Sequence, residues 1–104
     1  MTTFDDRENA FETKFAHDAE LKFKAEARRN KLVGLWAAGL LGKSGGEAAA
    51  YASEVVMADF EEAGDADVLR KLSADLGSHA NEATIRAKLA ECMAEAKRQL
   101  MTEV

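Results

Sequence analysis

Apolar residues recur along this chain at intervals of three and four, and no stretch alternates singly between apolar and polar as a half-buried strand would. Proline is absent, and the strong helix formers Ala, Leu, Glu, Lys and Arg abound. The pattern predicts helices throughout, with glycines marking the turns. The first helix opens near Asp5, capped by Thr3 or Asp5 with acids in its first turn, and extends to about Leu41 before stopping at Gly42. At ~1.5 Å per residue it would be roughly 55 Å long. It carries two stripes. Phe4, Phe11, Phe15 and Ala19 are spaced by seven, four and four. Leu21, Ala25, the stem of Arg28, Leu32, Leu35, Trp36 and Leu40 form the second and the stronger core candidate. The two do not merge into one face, so a break is expected between residues 16 and 21.

Ser44-Gly45-Gly46-Glu47 has the spacing of a capping box, in which the Ser hydroxyl accepts from the N3 amide and the Glu reaches back. It predicts a second helix over 47–62, with Ala48, Tyr51, Ala52, Val55, Val56, Met57, Ala58 and Phe60 apolar. Gly64 ends it, and Asp65 caps a third helix over 66–76 whose stripe is Val68, Leu69, Leu72 and Leu76, with Gly77 at C′. Asn81 caps a fourth over 82–101, with Ile85, Leu89, Cys92, Met93, Ala96 and Leu100 on one face. Short connections favour antiparallel neighbours. The fold class predicted is all-α: a small four-helix bundle with an N-terminal amphipathic helical extension, the acidic half of the first helix being left outside the bundle.

Charge sharpens this picture. Residues 1–20 carry six acids against two bases, and residues 21–31 carry five bases against one acid. Phe4, Phe11, Phe15 and Phe23 sit between the charges. A segment so charged is no core, and one so rich in Phe is no mere solvated tail; it has the pattern of a helix that lies in a partner's groove. The whole chain, 104 residues at a formal charge of −5, is one domain with an appendage and too acidic for general nucleic-acid binding. Apolar residues make up 47%, much of it alanine, which favours a small core over a large catalytic cavity. The single cysteine, Cys92, excludes an internal disulfide and a Cys-cluster metal site and fits a reducing cytoplasm. The N-terminus has no apolar signal region, and the longest apolar stretch, residues 32–41, is too short to span a bilayer. A cytoplasmic protein with no direct membrane insertion is expected.

Candidate chemistry is sparse. Gly39-Leu40-Leu41-Gly42-Lys43-Ser44 suggests a phosphate loop, but the full pattern needs Gly where Ala37 stands, and it belongs between a strand and a helix. A helix C-cap followed by a capping box accounts for it better. A weak ATP or ADP contact at Lys43, Ser44 and the amides opening the second helix stays open. His17 and Asp18 have no nucleophile near them in sequence; if the first helix binds in a groove, His17 would make that binding pH-sensitive. His79 belongs to a turn, and Cys92 behaves as a small core hydrophobe. Two histidines and one cysteine make no zinc site. Glu61, Glu62, Asp65 and Asp67 lack the pattern of a calcium loop and read as a solvated turn. The basic residues Lys22, Lys24, Arg28, Arg29 and Lys31 serve either a charged partner, a phosphate or a membrane surface, or simply pair along the helix, as Lys22 with Glu26. The pattern leaves both open.

Several segments together carry a resemblance: Phe4 to Glu8, Lys14 to Asp18, Phe23 to Leu32, Trp36 to Ala38, then Leu41-Gly42, Asp59 to Glu61 and Ala83 to Lys88. In this order they resemble the zeta subunit of alphaproteobacterial rotary ATP synthases, over essentially the whole chain. The resemblance implies a small all-helical inhibitor of ATP hydrolysis, with no catalytic residue and no cofactor, similar in role to the mitochondrial inhibitor protein. It implies an inhibitory segment over 1–19 that enters the cleft between a catalytic β subunit and its α neighbour near the γ shaft. A four-helix domain over 20–104 would anchor it. Blocking hydrolysis while permitting synthesis requires the direction of rotation to insert or expel the helix. It implies a location peripheral to the inner membrane through the synthase.

The helix pattern agrees. Helix-in-groove binding requires a charged amphipathic helix with large apolar anchors, here Phe4, Phe11 and Phe15. Asp5, Asp6, Arg7, Glu8 and Lys14, with His17 and Asp18 at the end of the segment, would set register and partner choice. The free protein is expected to be a monomer. Rival readings are a nucleotide-sensing bundle using Lys43, Ser44 and the basic stretch, and a helical adaptor using that stretch alone.

Overall fold

The computed structural model describes residues 3–59 and 66–103, and of residues 3–8 the backbone alone. Five α-helices make up the described chain: α1 (Thr3–His17), α2 (Ala19–Leu40), α3 (Gly45–Ala58), α4 (Ala66–Leu76) and α5 (Glu82–Glu103). No strand occurs among the described residues. The pattern predicted one long first helix with a break near its middle. The break falls at Asp18, which leaves the helical conformation and caps α2. The helix opens at Thr3, so Asp5 lies inside it rather than at its cap.

Helices α2 to α5 form the bundle. α2 packs against α3 on one side and α5 on the other, and α4 closes the ring against both α3 and α5. Neighbours run antiparallel: between α2 and α5, Arg28 meets Glu103 while Trp36 further on meets Lys88, and between α3 and α4, Tyr51 meets Asp75 while Glu54 further on meets Lys71. The core joins Val33, Ala37 and Ala38 of α2 to Tyr51 and Val55 of α3. Val68, Leu72 and Leu76 of α4 and Ile85, Leu89 and Cys92 of α5 complete it. Cys92 lies in this core as a reduced thiol, and burial pushes it up from its ordinary pKa, as its role as a small hydrophobe requires.

The buried face of α2 differs from the expected stripe. Leu35 and Leu40 are 39% and 37% exposed, whereas Arg29, Asn30, Val33, Gly34, Ala37 and Ala38 are buried. The reason is the closeness of α3. A Cβ placed on Gly34 would lie 2.7 Å from the Ala52 Cα, so only glycine lets the two backbones meet there. Small residues, not leucines, set that contact, and the burial centres on them. Arg29 is buried with its guanidinium donating to Asn30 Oδ1 at 2.9 and 3.0 Å. Among the described residues, the buried Asn30 Nδ2 has no hydrogen-bond partner.

The caps show where local sequence decides. The Lys43 amide donates to the Ala38 carbonyl at 2.8 Å and the Gly42 amide to Gly39 at 3.2 Å, closing α2 in a Schellman motif around Gly42 at φ 76°. Asn81 Oδ1 caps α5 by accepting from the Thr84 amide at 2.8 Å. The capping box at Ser44 does not form: its side chain makes no cap bond, and the Glu47 amide donates to the Ser44 carbonyl instead. Gly45 at φ 56° turns the backbone at the first helical position, which takes the hydroxyl off the amide it was expected to reach. α3 ends at Ala58; Phe60, Gly64, Asp65 and the acids Glu61 and Glu62 lie outside the described residues. Asp67, expected in a solvated turn, is buried and paired with Arg70.

A polar cluster joins α3 to α4. The Tyr51 hydroxyl donates to Asp75 Oδ2 at 2.8 Å, and Lys71 Nζ lies 3.0 Å from the same oxygen and 5.1 Å over the Tyr51 ring. Burial, then the bond to Asp75, pushes the phenol up and keeps it protonated. Burial alone would raise the Asp75 carboxyl, but the bonds from Lys71 and Tyr51 and the charges of Lys71 and Lys43 hold it below its ordinary value. A depressed carboxyl stabilises the fold above its unfolded pKa of about 3.9, and that stabilisation is lost as pH falls through the folded value.

Two predictions follow from this packing. Gly34→Ala is expected to cost about 1–3 kcal/mol in urea unfolding, because backbone must move. Gly39→Ala, with nothing near its Cβ, should gain up to about 1 kcal/mol; equal midpoints for the two variants would disprove the close approach. Tyr51→Phe should cost about 1 kcal/mol at neutral pH, the deficit shrinking as pH falls through the depressed folded value of Asp75, below the ordinary carboxylate range. A deficit that persists once Asp75 is protonated would show that the bond to Asp75 is not its source.

Candidate functional site

α1 is where the expected function lies. Phe11 and Phe15, one helical turn apart, share a face. Their rings stand 6.2 Å apart at 29°. This face is not free. Phe11 is only 6% exposed, packed in a second cluster with Leu21 and Ala25 of α2 and Leu100 of α5, flanked by Phe15, Met93 and Met101. Lys97 of α5 reaches over it, its Nζ 4.3 Å from the Phe15 ring centroid and 3.6 Å from Glu12 Oε2. The part of the first helix expected to stand outside the bundle is thus laid back on it. The net charge of the segment pointed away from a core, but only one face is charged, and the Phe face finds an apolar slot between α2 and α5.

Among the described side chains of α1, Asn9, Ala10, Thr13, Lys14, Ala16 and His17 are exposed. The Phe4, Asp5, Asp6, Arg7 and Glu8 side chains, expected to bind a partner, lie outside the described residues. At the junction Asp18 adopts an extended backbone at φ −113° and ψ 103°, and its Oδ1 accepts from the Leu21 amide at 3.0 Å. One residue therefore separates two helices, and its carboxylate restores one of the amide bonds that the break removes.

The basic stretch is spread rather than gathered. Lys22 and Lys31 are exposed, Lys24 pairs with Glu20 at 3.4 Å, Arg28 pairs with Glu103 across the bundle, and Arg29 is buried. The pair along the helix is Glu20 with Lys24, not Lys22 with Glu26. Lys43 and Ser44 lie beyond the far end of α2, about 18 Å along the axis from Lys31, and the Lys43 amide is held by Ala38. These residues do not converge on one phosphate-sized site. Among the described residues, no group of His, Cys, Asp and Glu is placed to hold a metal, and no helix is long and apolar enough to cross a membrane.

The residues of α5 that cradle α1 were only half visible in sequence. Met93 and Leu100 belong to the predicted stripe of the last helix. Lys97 and Met101 carry no sequence signal of their role, because contact with residues so far upstream is not a local pattern.

A family model described as ATPase inhibitor subunit zeta matches residues 1–99. The chain belongs to this family. No curated protein matches the chain. A protein of known solution NMR structure is 63% identical, covering 81% of this chain and 99% of its own, with a TM-score of 0.75. The match to the zeta family takes in α1, the junction at Asp18 and nearly all of the bundle.

The junction yields a prediction. Asp18→Ala is expected to lower stability by about 1 kcal/mol, and Asp18→Asn by much less, since an amide oxygen still caps. Faster amide exchange at Leu21 in the alanine variant alone would show the cap; equal exchange in both would deny it.

Proposed function

We propose that this zeta-family protein inhibits ATP hydrolysis by a rotary ATP synthase, with residues 1–19 as the inhibitory segment and 20–104 as the anchoring domain. The segment enters the α/β catalytic interface near the γ shaft and obstructs rotation sterically. No reaction is catalysed by this chain, and the mechanism needs no cofactor or bound nucleotide. The observation that supports the reading is the form of α1: a helix with Phe11 and Phe15 on one face, and a single capping residue, Asp18, joining it to a bundle with its own core.

In this reading Phe4, Phe11 and Phe15 are anchors. A phenylalanine buried in a partner's groove removes ~150 Å² or more from water. Asp5, Asp6, Arg7, Glu8, Lys14, His17 and Asp18 set register and orientation by charge and hydrogen bonding, which affects partner choice more than affinity. The free chain is a monomer, and in action it lies peripheral to the inner membrane through the synthase.

The domain division is tested by deletion. Removing residues 1–19 takes Phe11 from the second cluster but leaves the main core untouched, so helices α2 to α5 should stay folded by circular dichroism. Inhibition of the purified catalytic sector should weaken by at least about thirtyfold, the equivalent of about 2 kcal/mol for one lost anchor. Full inhibition by the shortened, folded chain would refute the assignment of the segment.

A further inference from the structure

This inference rests on the functional reading above. Phe11 cannot lie in two grooves at once. In the free chain it is buried against Leu21, Ala25 and Leu100, Phe15 stacks beside it, and Lys97 grips both the Phe15 ring and Glu12. We propose that the cradle on α5, made by Met93, Lys97, Leu100 and Met101, is an autoinhibitory contact that holds α1 in a closed state unable to engage the synthase. Inhibition then begins with release of α1, and the cradle and the synthase compete for the same Phe face.

The geometry suits a contact that holds but also opens. α1 has 15 residues, a length at which an isolated helix is marginal in water, so its helicity depends on having a surface to lie against. The cradle supplies one buried ring, one cation over a ring and one half-exposed ion pair. Each is modest, and the ion pair weakens further with salt. The single residue between α1 and α2 lets the helix swing without disturbing the bundle core, because Phe11 belongs to the second cluster and not to the first. Apparent affinity for the synthase is reduced by the fraction of chain that is closed, and loosening the cradle raises it in proportion.

The test changes the cradle and leaves α1 intact. Lys97→Glu sets a carboxylate against Glu12 and removes the cation over Phe15; Met101→Ser weakens the apolar wall by a different chemistry. In the full-length chain, amide hydrogen exchange over residues 9–17 and the time course of inhibition of isolated catalytic sector are measured together. Both variants are expected to exchange faster over 9–17 with the bundle unchanged, and Lys97→Glu should inhibit with an onset about three- to tenfold faster. Exchange that does not rise in either variant would show that the cradle does not hold α1. Exchange that rises while onset is unchanged or slower would show that the contact does not limit inhibition. Absence of inhibition by the unaltered chain would overturn the functional reading and the competition with it, while exchange would still report the contact itself.

Discussion

The approach of α2 to α3 at Gly34 and Ala52 is the contact on which the rest of the bundle depends. With no side chain at position 34, the backbones come within reach of each other, and Ala37, Ala38 and Val55 pack directly around the crossing. That closeness turns α2 into a helix buried on two sides, against α3 and against α5. It also places Arg29 inside, where its guanidinium must find partners, and Asn30 Oδ1 is one of them. A bulkier residue at the crossing would push α3 outward and open the core to α4, because packed interiors accommodate added volume only by moving backbone.

Helix existence and most boundaries were legible from local chemistry. Gly42 and Asn81 mark ends because a left-handed turn and a side-chain cap are decided within a few residues. The stripe of α4 is legible because its four apolar positions share one face and its opposite face is charged. The buried face of α2 was not legible in the same way. Periodicity weighs large side chains, and here glycine and alanine define the deepest contact while Leu35 and Leu40 stay half exposed. The failed cap at Ser44 has a similar cause: the residues have the right spacing, but Gly45 takes a backbone conformation that the pattern cannot foresee.

The docking of α1 lay further out of reach. Composition separates a charged segment from a core, yet burial is decided face by face. Phe11 and Phe15 make a narrow apolar ridge, and the slot that receives it is built from residues eighty or more positions downstream together with the start of α2. What could be read was the break: two stripes that do not merge, and an Asp at the point where the charge reverses. The structure gives that break a physical form, since the Asp18 carboxylate replaces the helical bond missing at Leu21.

The same ridge must serve two surfaces if the segment inhibits. A helix with anchors only on one face has no second face for a second partner, so docking in the chain and docking on the synthase exclude each other. The relative strength of the two contacts then governs the response. A cradle too strong would keep the inhibitor silent; one too weak would leave a marginal helix without a template and add its ordering cost to binding. One buried Phe, a cation over a ring and a salt-sensitive pair lie between these limits. The hinge keeps that balance separate from the stability of the bundle, because swinging α1 away uncovers Leu21, Ala25 and Leu100 but leaves the Gly34 crossing and its core in place.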